Sequence, residues 1–407
     1  MTMTAPEAST ASRAGAPAAG WRTVCLGEVC RIVSGSTPRS DVQDFWDGEI
    51  AWVTPADMGR ITDGRITSTA RRLTKAGYQR CSTVLVPAGS VVISSRAPIG
   101  HVAIAEIPLC TNQGCKTLVP GPLVKSRFLY HAMRRAVPAL QALGTGATFA
   151  EVSKSQFERF HIDLPDLPTQ HRIVAILDEA AELQRLRREA DCRTAELAPA
   201  IFDEMFGDPA ANPNGWQTAP LRDLVRFVGG DTPSRNRPEF FDGTIPWATS
   251  KDMKTNFLGD TKEHITEEAI QSSATNLVPP GSVLVVVKSK ILARTLPVAI
   301  ADVPICFGQD LKAIICRERL ASQYLASLLR GSAKAIIAQA RGLNTEGLTL
   351  DILGGVSAAV PPLALQREFA RRVEQLRAIG ARQAESGERL EGLSRSLLER
   401  AFRGGLR

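Results

Sequence analysis

The chain has 407 residues, 44% hydrophobic and 22% charged, the balance of a globular protein with room for two or three domains rather than of a disordered or fibrous chain. Its 49 Lys and Arg against 42 Asp and Glu leave a net charge of +7, which permits an acidic partner such as nucleic acid without demanding one. No run approaches the roughly 20 consecutive apolar residues of a membrane helix, so no membrane partner is expected, and the cysteines read as reduced thiols of a cytoplasmic protein.

Residues 1–20, rich in Ala, Thr, Ser and Pro, lack the apolar core and cleavage site of a signal peptide and read as a disordered leader. From 21 to 165, short β-branched runs such as Ser90-Val-Val-Ile93 alternate with Pro and Gly turns, the pattern of a mixed α/β domain with a substantial sheet. Residues 166–206 change period. After Pro168, Ile173, Ile176, Leu177, Ala180, Leu183 and Leu186 fall three or four apart, one face of a long helix that Pro199 ends or kinks. Residues 207–361 return to the strand pattern with Ser282-Val-Leu-Val-Val-Val287, and residues 362–407 to the helical one, with Phe369, Val373, Leu376, Ile379, Leu390, Leu393, Leu397 and Phe402. The fold class is therefore α+β: two mixed α/β domains separated by long helices, whose apolar stripes predict antiparallel coiled-coil pairing about a pseudo-two-fold axis.

An internal repeat organises these elements. Trp21 to Met58 aligns without gaps to Trp216 to Met253, an offset of 195, with Gly35/Gly230, Thr37/Thr232, Pro38/Pro233, Asp47/Asp242, Gly48/Gly243, Trp52/Trp247 and Asp57/Asp252 among the matches. Val84-Leu-Val-Pro-Ala-Gly-Ser-Val91 echoes Asn276-Leu-Val-Pro-Pro-Gly-Ser-Val283, and Leu164-Pro-Asp-Leu-Pro-Thr-Gln170 echoes Val360-Pro-Pro-Leu-Ala-Leu-Gln366. Small changes of offset between blocks place the length differences in loops.

These residues resemble the specificity subunits of type I restriction-modification enzymes. The likeness rests on Trp21-x4-Leu26 with Gly35-Ser-Thr-Pro38, Ile50-Ala-Trp-Val-Thr-Pro-Ala-Asp57, Ile93-Ser-Ser-Arg-Ala-Pro-Ile-Gly100, Thr111-Asn-Gln-Gly114 and Leu164-Pro-x-Leu-Pro-x-Gln170, and it covers nearly all of Trp21 to Phe402. The resemblance implies two target-recognition domains, 21–165 and 207–361, each followed by a helix, at 166–206 and 362–407. It implies a non-catalytic reader of a bipartite, asymmetric double-stranded DNA target that docks two methyltransferase subunits and restriction/translocase subunits. S-adenosylmethionine, ATP and Mg2+ would belong to those partners and no cofactor to this chain. The competing reading is a solitary DNA-recognition adaptor of a defence system without associated modification.

Duplex DNA is held mainly by Lys and Arg on phosphates and read by Arg, Asn, Gln and Ser on base edges. Loops carrying both kinds nominate Thr37, Arg39, Ser40, Ser95, Arg96, Asn112, Gln113 and Lys116 in the first copy. In the second they nominate Ser234, Arg235, Arg237, Lys288, Lys290, Arg294, Gln309, Arg341 and Asn344. The loops differ between copies: Ser94 to Gly100 becomes the longer Val287 to Leu296, and Asn112-Gln-Gly becomes Gly308-Gln-Asp310.

Other features read as structural. Trp52/Trp247 and Trp21/Trp216 are expected in the core, Asp47-Gly48 and Asp242-Gly243 as hairpin turns, and Asp57 and Asp252 as caps. Cys25-x4-Cys30 and Cys110-x4-Cys115 mimic halves of a zinc site, yet the second copy has Pro220, Val225, Cys306 and Leu311 there, so buried thiols are expected and no metal. Gly144-Thr-Gly146 is too short to bind a cofactor, and no residue is nominated as catalytic.

Overall fold

The computed structural model describes residues 18–96, 98–144, 150–342 and 347–405. The chain divides into two units, Met1–Arg188 with Glu385–Arg407, and Glu189–Ala384. The expected leader lies, up to residue 17, outside the described residues.

The first unit contains β1 (Arg22–Cys25), β2 (Cys30–Ser34), β3 (Trp46–Val53), β4 (Arg65–Ile66), β5 (Arg71–Leu73), β6 (Val91–Ser94), β7 (Val102–Ala105), β8 (Leu109–Thr111), β9 (Cys115–Pro120) and β10 (His161–Leu164). They form a five-stranded sheet in the order β2-β9-β6-β7-β4, a three-stranded sheet β5-β3-β8 and the pair β1-β10. The second unit contains β11 (Thr218–Pro220), β12 (Val225–Gly229), β13 (Ile245–Ala248), β14 (Phe257–Leu258), β15 (Glu263–Ile265), β16 (Val283–Val286), β17 (Val298–Ala301), β18 (Cys306–Phe307), β19 (Leu311–Cys316) and β20 (Ser357–Ala359). Its orders are β12-β19-β16-β17-β14, β15-β13-β18 and β11-β20. Every neighbour relation of the first unit recurs ten strands later, including the parallel pairs β3·β8 and β13·β18. The repeat read in the sequence is a repeat of topology.

The central strands are apolar on both faces because both are covered. Val91 and Ile93 of β6 pack with Phe128, Leu129 and Met133 of the helix Ser126–Leu143. Val92, between them, packs with Val33, Val53, Ala103 and Leu109 on the opposite side. Gly48 and Gly243 prove to serve close approach rather than a two-residue hairpin. A Cβ on either would strike the backbone of the adjoining strand end, at Leu73 and Ile265 respectively. In the first unit the surrounding strand bulges, since both Trp46 and Ile50 register with Leu73, and Asp47 takes a positive φ of 61°.

Two long helices follow the sheets, Leu167–Phe206 and Leu363–Ala401. The first does not stop at Pro199. One turn further on, Phe202 and Phe206 are each only 3% exposed, and their packing offsets the hydrogen bond that proline cannot donate. In the second unit Phe206 meets Trp216, Tyr324 and Phe369 at ring separations of 5.8, 4.8 and 5.5 Å. In the first, Phe402 meets Trp21 and Phe128 at 6.3 and 5.2 Å. The same aromatic closure thus appears twice, each time with its terminal Phe supplied by the end of a long helix.

The beginning of each helix is fixed by a buried glutamine. Gln170 accepts from the Lys125 N–H at 2.9 Å and donates to the Leu123 and Pro165 carbonyls. Gln366 accepts from the Ala321 N–H at 2.9 Å and donates to the Arg319 and Pro361 carbonyls. A side-chain amide offers one oxygen acceptor and two N–H donors, and here each of them is engaged. Charge then differentiates the copies. In the first unit Asp178 on the helix accepts from Arg127 Nε at 3.0 Å and from His131 Nε2 at 2.9 Å. Arg377 in the second unit donates to Asp302 at 2.9 Å and lies 4.4 Å from the Phe257 ring centre.

Gln366→Ala should strand three backbone groups, one buried and two part-buried, and lower unfolding free energy by about 2–4 kcal/mol. Exposed Gln271→Ala should stay within about 0.5 kcal/mol, both read by urea denaturation of the full chain. Burial raises the Asp178 carboxyl, but the hydrogen bonds from His131 and Arg127 outweigh it and hold it at about 2. Burial also drives His131 below the usual imidazole value, against the pull of Asp178. Both groups bind protons more readily unfolded, so stability is full above the ordinary imidazole value, falls as pH drops below it, and falls again from the usual carboxylate range towards about 2. Asp178→Asn should flatten the lower part of that acid limb in pH-resolved denaturation.

Candidate nucleic-acid interface

In each unit the loop after the first strand of the five-stranded sheet is pinned to the turn before the last of its buried strands. Ser36 N donates to the Thr111 carbonyl at 2.9 Å, and Asp231 N to the Phe307 carbonyl at 3.1 Å. Gly35 and Gly230 make this possible, because a Cβ on either would run into that turn's backbone. Two of the three loops nominated from sequence in the first copy, those of Thr37 and of Asn112, are thereby brought together.

Thr37 Oγ1 donates to Gln113 Oε1 at 2.5 Å, and Asn112 Oδ1 accepts from the Gly114 N–H at 3.0 Å, an Asx turn that fixes the loop. Behind it, Lys116 is only 4% exposed. Its ammonium donates to Ser95 Oγ, the Gln113 carbonyl and Glu151 Oε1 at 3.3 to 3.4 Å. Glu151 also holds Arg96 at 2.8 Å. Burial raises the Glu151 carboxyl, but the bonds from Arg96 and Lys116 leave it below its ordinary value. Ser95, wholly buried, and Lys116 are consequently supports of the loop and do not reach its surface. Thr37, Gln113 and Arg96 form its outer surface, and Arg39 and Ser40 stand exposed on the loop preceding β3, Arg39 paired with Asp41 at 2.7 Å.

The second unit arranges its nominated residues differently. Arg235 makes a two-pronged pair with Glu263 at 2.6 and 2.8 Å and lies 4.1 Å from the centre of Phe241. Arg237 is shared between Glu239 and Glu268 at 2.8 Å each and lies 4.0 Å from Phe240. These hydrogen bonds push both guanidinium groups above their ordinary values. Ser234 is exposed between the loop's anchors. Lys288, Lys290 and Arg294 are exposed along the connection from β16 to β17, and no ion pair engages them among the described residues. The Asp310 carbonyl, accepting from the N–H groups of Val287 and Lys288 at 2.8 and 3.2 Å, sets that connection beside exposed Gln309. Arg341 falls at the end of the helix Ala333–Gly342, and Asn344 lies outside the described residues.

The residues read as structural are placed accordingly. Trp52 and Trp247 are each 2% exposed, and their indole N–H groups donate to the Ser36 and Asp231 carbonyls at 3.1 Å. Asp57 and Asp252 cap the turns they close, accepting from the N–H groups of Thr54 and Thr249 at 2.9 Å. Burial pushes the Cys30 and Cys115 thiols up to about 12, so both stay protonated. Sequence reasoning misses Glu151, the hub of the first loop, and the carboxylates that tie down Arg235 and Arg237. Glu151, Glu263 and Glu268 lie far along the chain from the cations they hold, and no local pattern marks them; Glu239, two residues after Arg237, is the local exception.

What the two units define is a duplicated recognition fold, one strand frame presenting two unlike sets of cation-bearing loops. The type I restriction modification DNA specificity domain matches residues 19–189 and again 213–388. Across 376 residues the chain is 24% identical to the type I restriction enzyme MjaIX specificity subunit of Methanocaldococcus jannaschii, covering 88% of this chain and 86% of that one. It is 37% identical over 207 residues to the EcoR124I/EcoR124II specificity subunit of Escherichia coli, about half of each protein: 49% of this chain and 50% of the relative. Its fold is that of a chain solved in work on complex assembly and conformational transition of the type I R-M system, with TM-score 0.63, 21% identity, and 96% and 100% of the two chains covered. The type I restriction-modification system S subunit from M. genitalium shares it at TM-score 0.56 and 15% identity, over 94% and 96% of the two chains. The chain belongs to the type I restriction-modification DNA specificity family, and its part is DNA recognition rather than catalysis.

Since Lys116 is a buried cation with one carboxylate in reach among the described residues, Glu151→Gln should cost about 3–5 kcal/mol of stability by leaving that charge unpaired. Arg39→Ala, which opens only an exposed pair, should leave the denaturation midpoint where it is. Chemical denaturation monitored by tryptophan fluorescence measures both.

Proposed function

We propose that each unit grips one part of a bipartite, asymmetric duplex target and that the chain carries methyltransferase and restriction subunits to it. The observation that supports this most is the combination of an unchanged frame with changed loops. Strand order is identical in both units, whereas the first presents Thr37, Gln113 and Arg96 and the second presents Lys288, Lys290, Arg294 and Gln309 on a longer connection. Two copies reading the same sequence would have no need of that divergence. In this reading Thr37, Arg39, Ser40, Arg96, Asn112 and Gln113 face DNA in the first unit. Ser234, Lys288, Lys290, Arg294 and Gln309 do so in the second, and Arg235 and Arg237 shape the loop that presents Ser234. Two methyltransferase subunits would supply S-adenosylmethionine chemistry and the restriction subunits ATP- and Mg2+-dependent cleavage, in the cytoplasm. The names of the relatives, each a specificity subunit of a type I restriction enzyme, support the assembly.

Co-expression with the cognate methyltransferase, followed by genome-wide mapping of modified adenines, should return one motif split by a nonspecific spacer. Replacing the Val287–Leu296 connection by the shorter Ser94–Gly100 sequence should alter one half of that motif and leave the other intact. A single contiguous motif, or both halves changed together, would refute the assignment of one half to each unit.

A further inference from the structure

The segment leading through β4 and β5 into the following short helix carries opposite charge in the two units. Arg65 to Arg80 aligns without gaps to Phe257 to Ser272, an offset of 192, and the frame is shared in detail. Thr69 and Thr261 accept from the Trp52 and Trp247 N–H groups at 3.4 and 3.0 Å, and Thr74 and Thr266 cap the two helices. On that frame the first unit bears Arg65, Arg71, Arg72, Lys75 and Arg80 and no carboxylate. The second bears Asp260, Glu263, Glu267 and Glu268 against the single Lys262.

The exchange is position for position. Arg71 registers with Trp52 where Glu263 registers with Trp247. In the second unit Glu263 draws Arg235 over the Phe241 and Trp247 rings, at 4.1 and 5.2 Å. In the first, Arg71 itself covers the equivalent pair, 3.5 Å from the Trp46 centre and 5.5 Å from that of Trp52. Both shelves are thus topped by a guanidinium, but one is neutralised by its carboxylate and the other is not. Arg65 has Glu106 at 3.4 Å. Arg71, Arg72, Lys75 and Arg80 are exposed and meet no carboxylate among the described residues. They lie on or just beyond β5, an edge strand with an open side.

We propose that Arg71, Arg72, Lys75 and Arg80 form a DNA-backbone contact surface of the first unit that has no counterpart in the second, where the same strip repels phosphate. This rests on the DNA-recognition reading and adds to it that the two units hold the duplex through different parts of one frame. The strip binds phosphate and not bases. Its head groups are unconstrained apart from Arg71, which the tryptophan shelf holds in place, and phosphate contacts position a protein without reading sequence.

The test is binding of the full-length chain to a fluorescein-labelled duplex of mixed sequence, by anisotropy over a range of salt. The variant Arg71→Glu/Arg72→Glu/Lys75→Glu is compared with Arg22→Glu/Arg31→Glu/Lys154→Glu, an equal charge change at exposed sites of the same unit outside the strip. For every phosphate that the protein no longer neutralises, the slope of log K against log[salt] should fall by about 0.9, so the strip variant should lose roughly two to three units of slope and bind at least about tenfold more weakly. The control variant should keep the wild-type slope, and thermal melting should show both folded. If the strip variant melts early, Arg72→Gln/Lys75→Gln replaces it, with about two-thirds of the slope change expected. Wild-type slope in the strip variant, or an equal loss in the control, overturns the strip while leaving DNA recognition intact. A wild-type chain that binds without salt dependence overturns the underlying reading.

Discussion

The structure depends on the closure of each unit by a phenylalanine from the end of a long helix. Phe402 inserts against Trp21 and Phe128, and Phe206 against Trp216, Tyr324 and Phe369. Neither ring belongs to the helix that directly follows the sheets it caps, for the helix after the first set ends in the second unit, and the reverse holds. In the first unit a core completed in this way ties residues almost at opposite ends of the chain. Such closure makes each recognition unit conditional on both helices being in place, since large aromatic burial carries much of a small core's stability.

The polar contacts beside this closure have a different task. Gln170 and Gln366 present the same three hydrogen bonds to the same backbone positions, and a fully satisfied buried amide specifies one geometry where apolar packing tolerates several. With sheets, glutamine, aromatic cap and the shared anchors at Ser36 and Asp231 held constant, the remaining parts of the connecting loops have no structural duty in common. They can change length and charge without disturbing the core. That division suits a recognition subunit, in which selection on the target must act on loops while assembly stays fixed.

Much of this is legible in the sequence because repetition marks what the frame requires. Gly35/Gly230, Trp52/Trp247 and Asp57/Asp252 recur since a close approach, a buried indole and a cap are needed in both copies. On local propensity alone the helix ends or kinks at Pro199, and its run to Phe206 follows from the resemblance and not from that residue, because Phe202 and Phe206 impose it from the tertiary structure. On local grounds Asp47-Gly48 reads as a hairpin, and the bulge comes from strand pairing with Leu73, which lies more than twenty residues away. Buried Lys116 carries no sequence signature at all, since its anion, Glu151, comes from a distant loop.

The same limit explains why a count of cations is a poor guide to a DNA-facing surface. Arg235 and Arg237 are nominated in the sequence alongside the other cations of the second unit, a basic pair in a Ser- and Pro-containing loop. In the structure three carboxylates and three aromatic rings surround them, and a guanidinium already satisfied on its planar edges has little left for phosphate. Conversely, Arg72 and Lys75 sit in an unremarkable stretch of turn and edge strand, yet nothing of opposite charge approaches them among the described residues. A net charge of +7 therefore understates what the chain can offer a polyanion. What reaches the phosphates is decided by which cations the protein's own carboxylates leave unpaired, and that differs between two halves built on one frame.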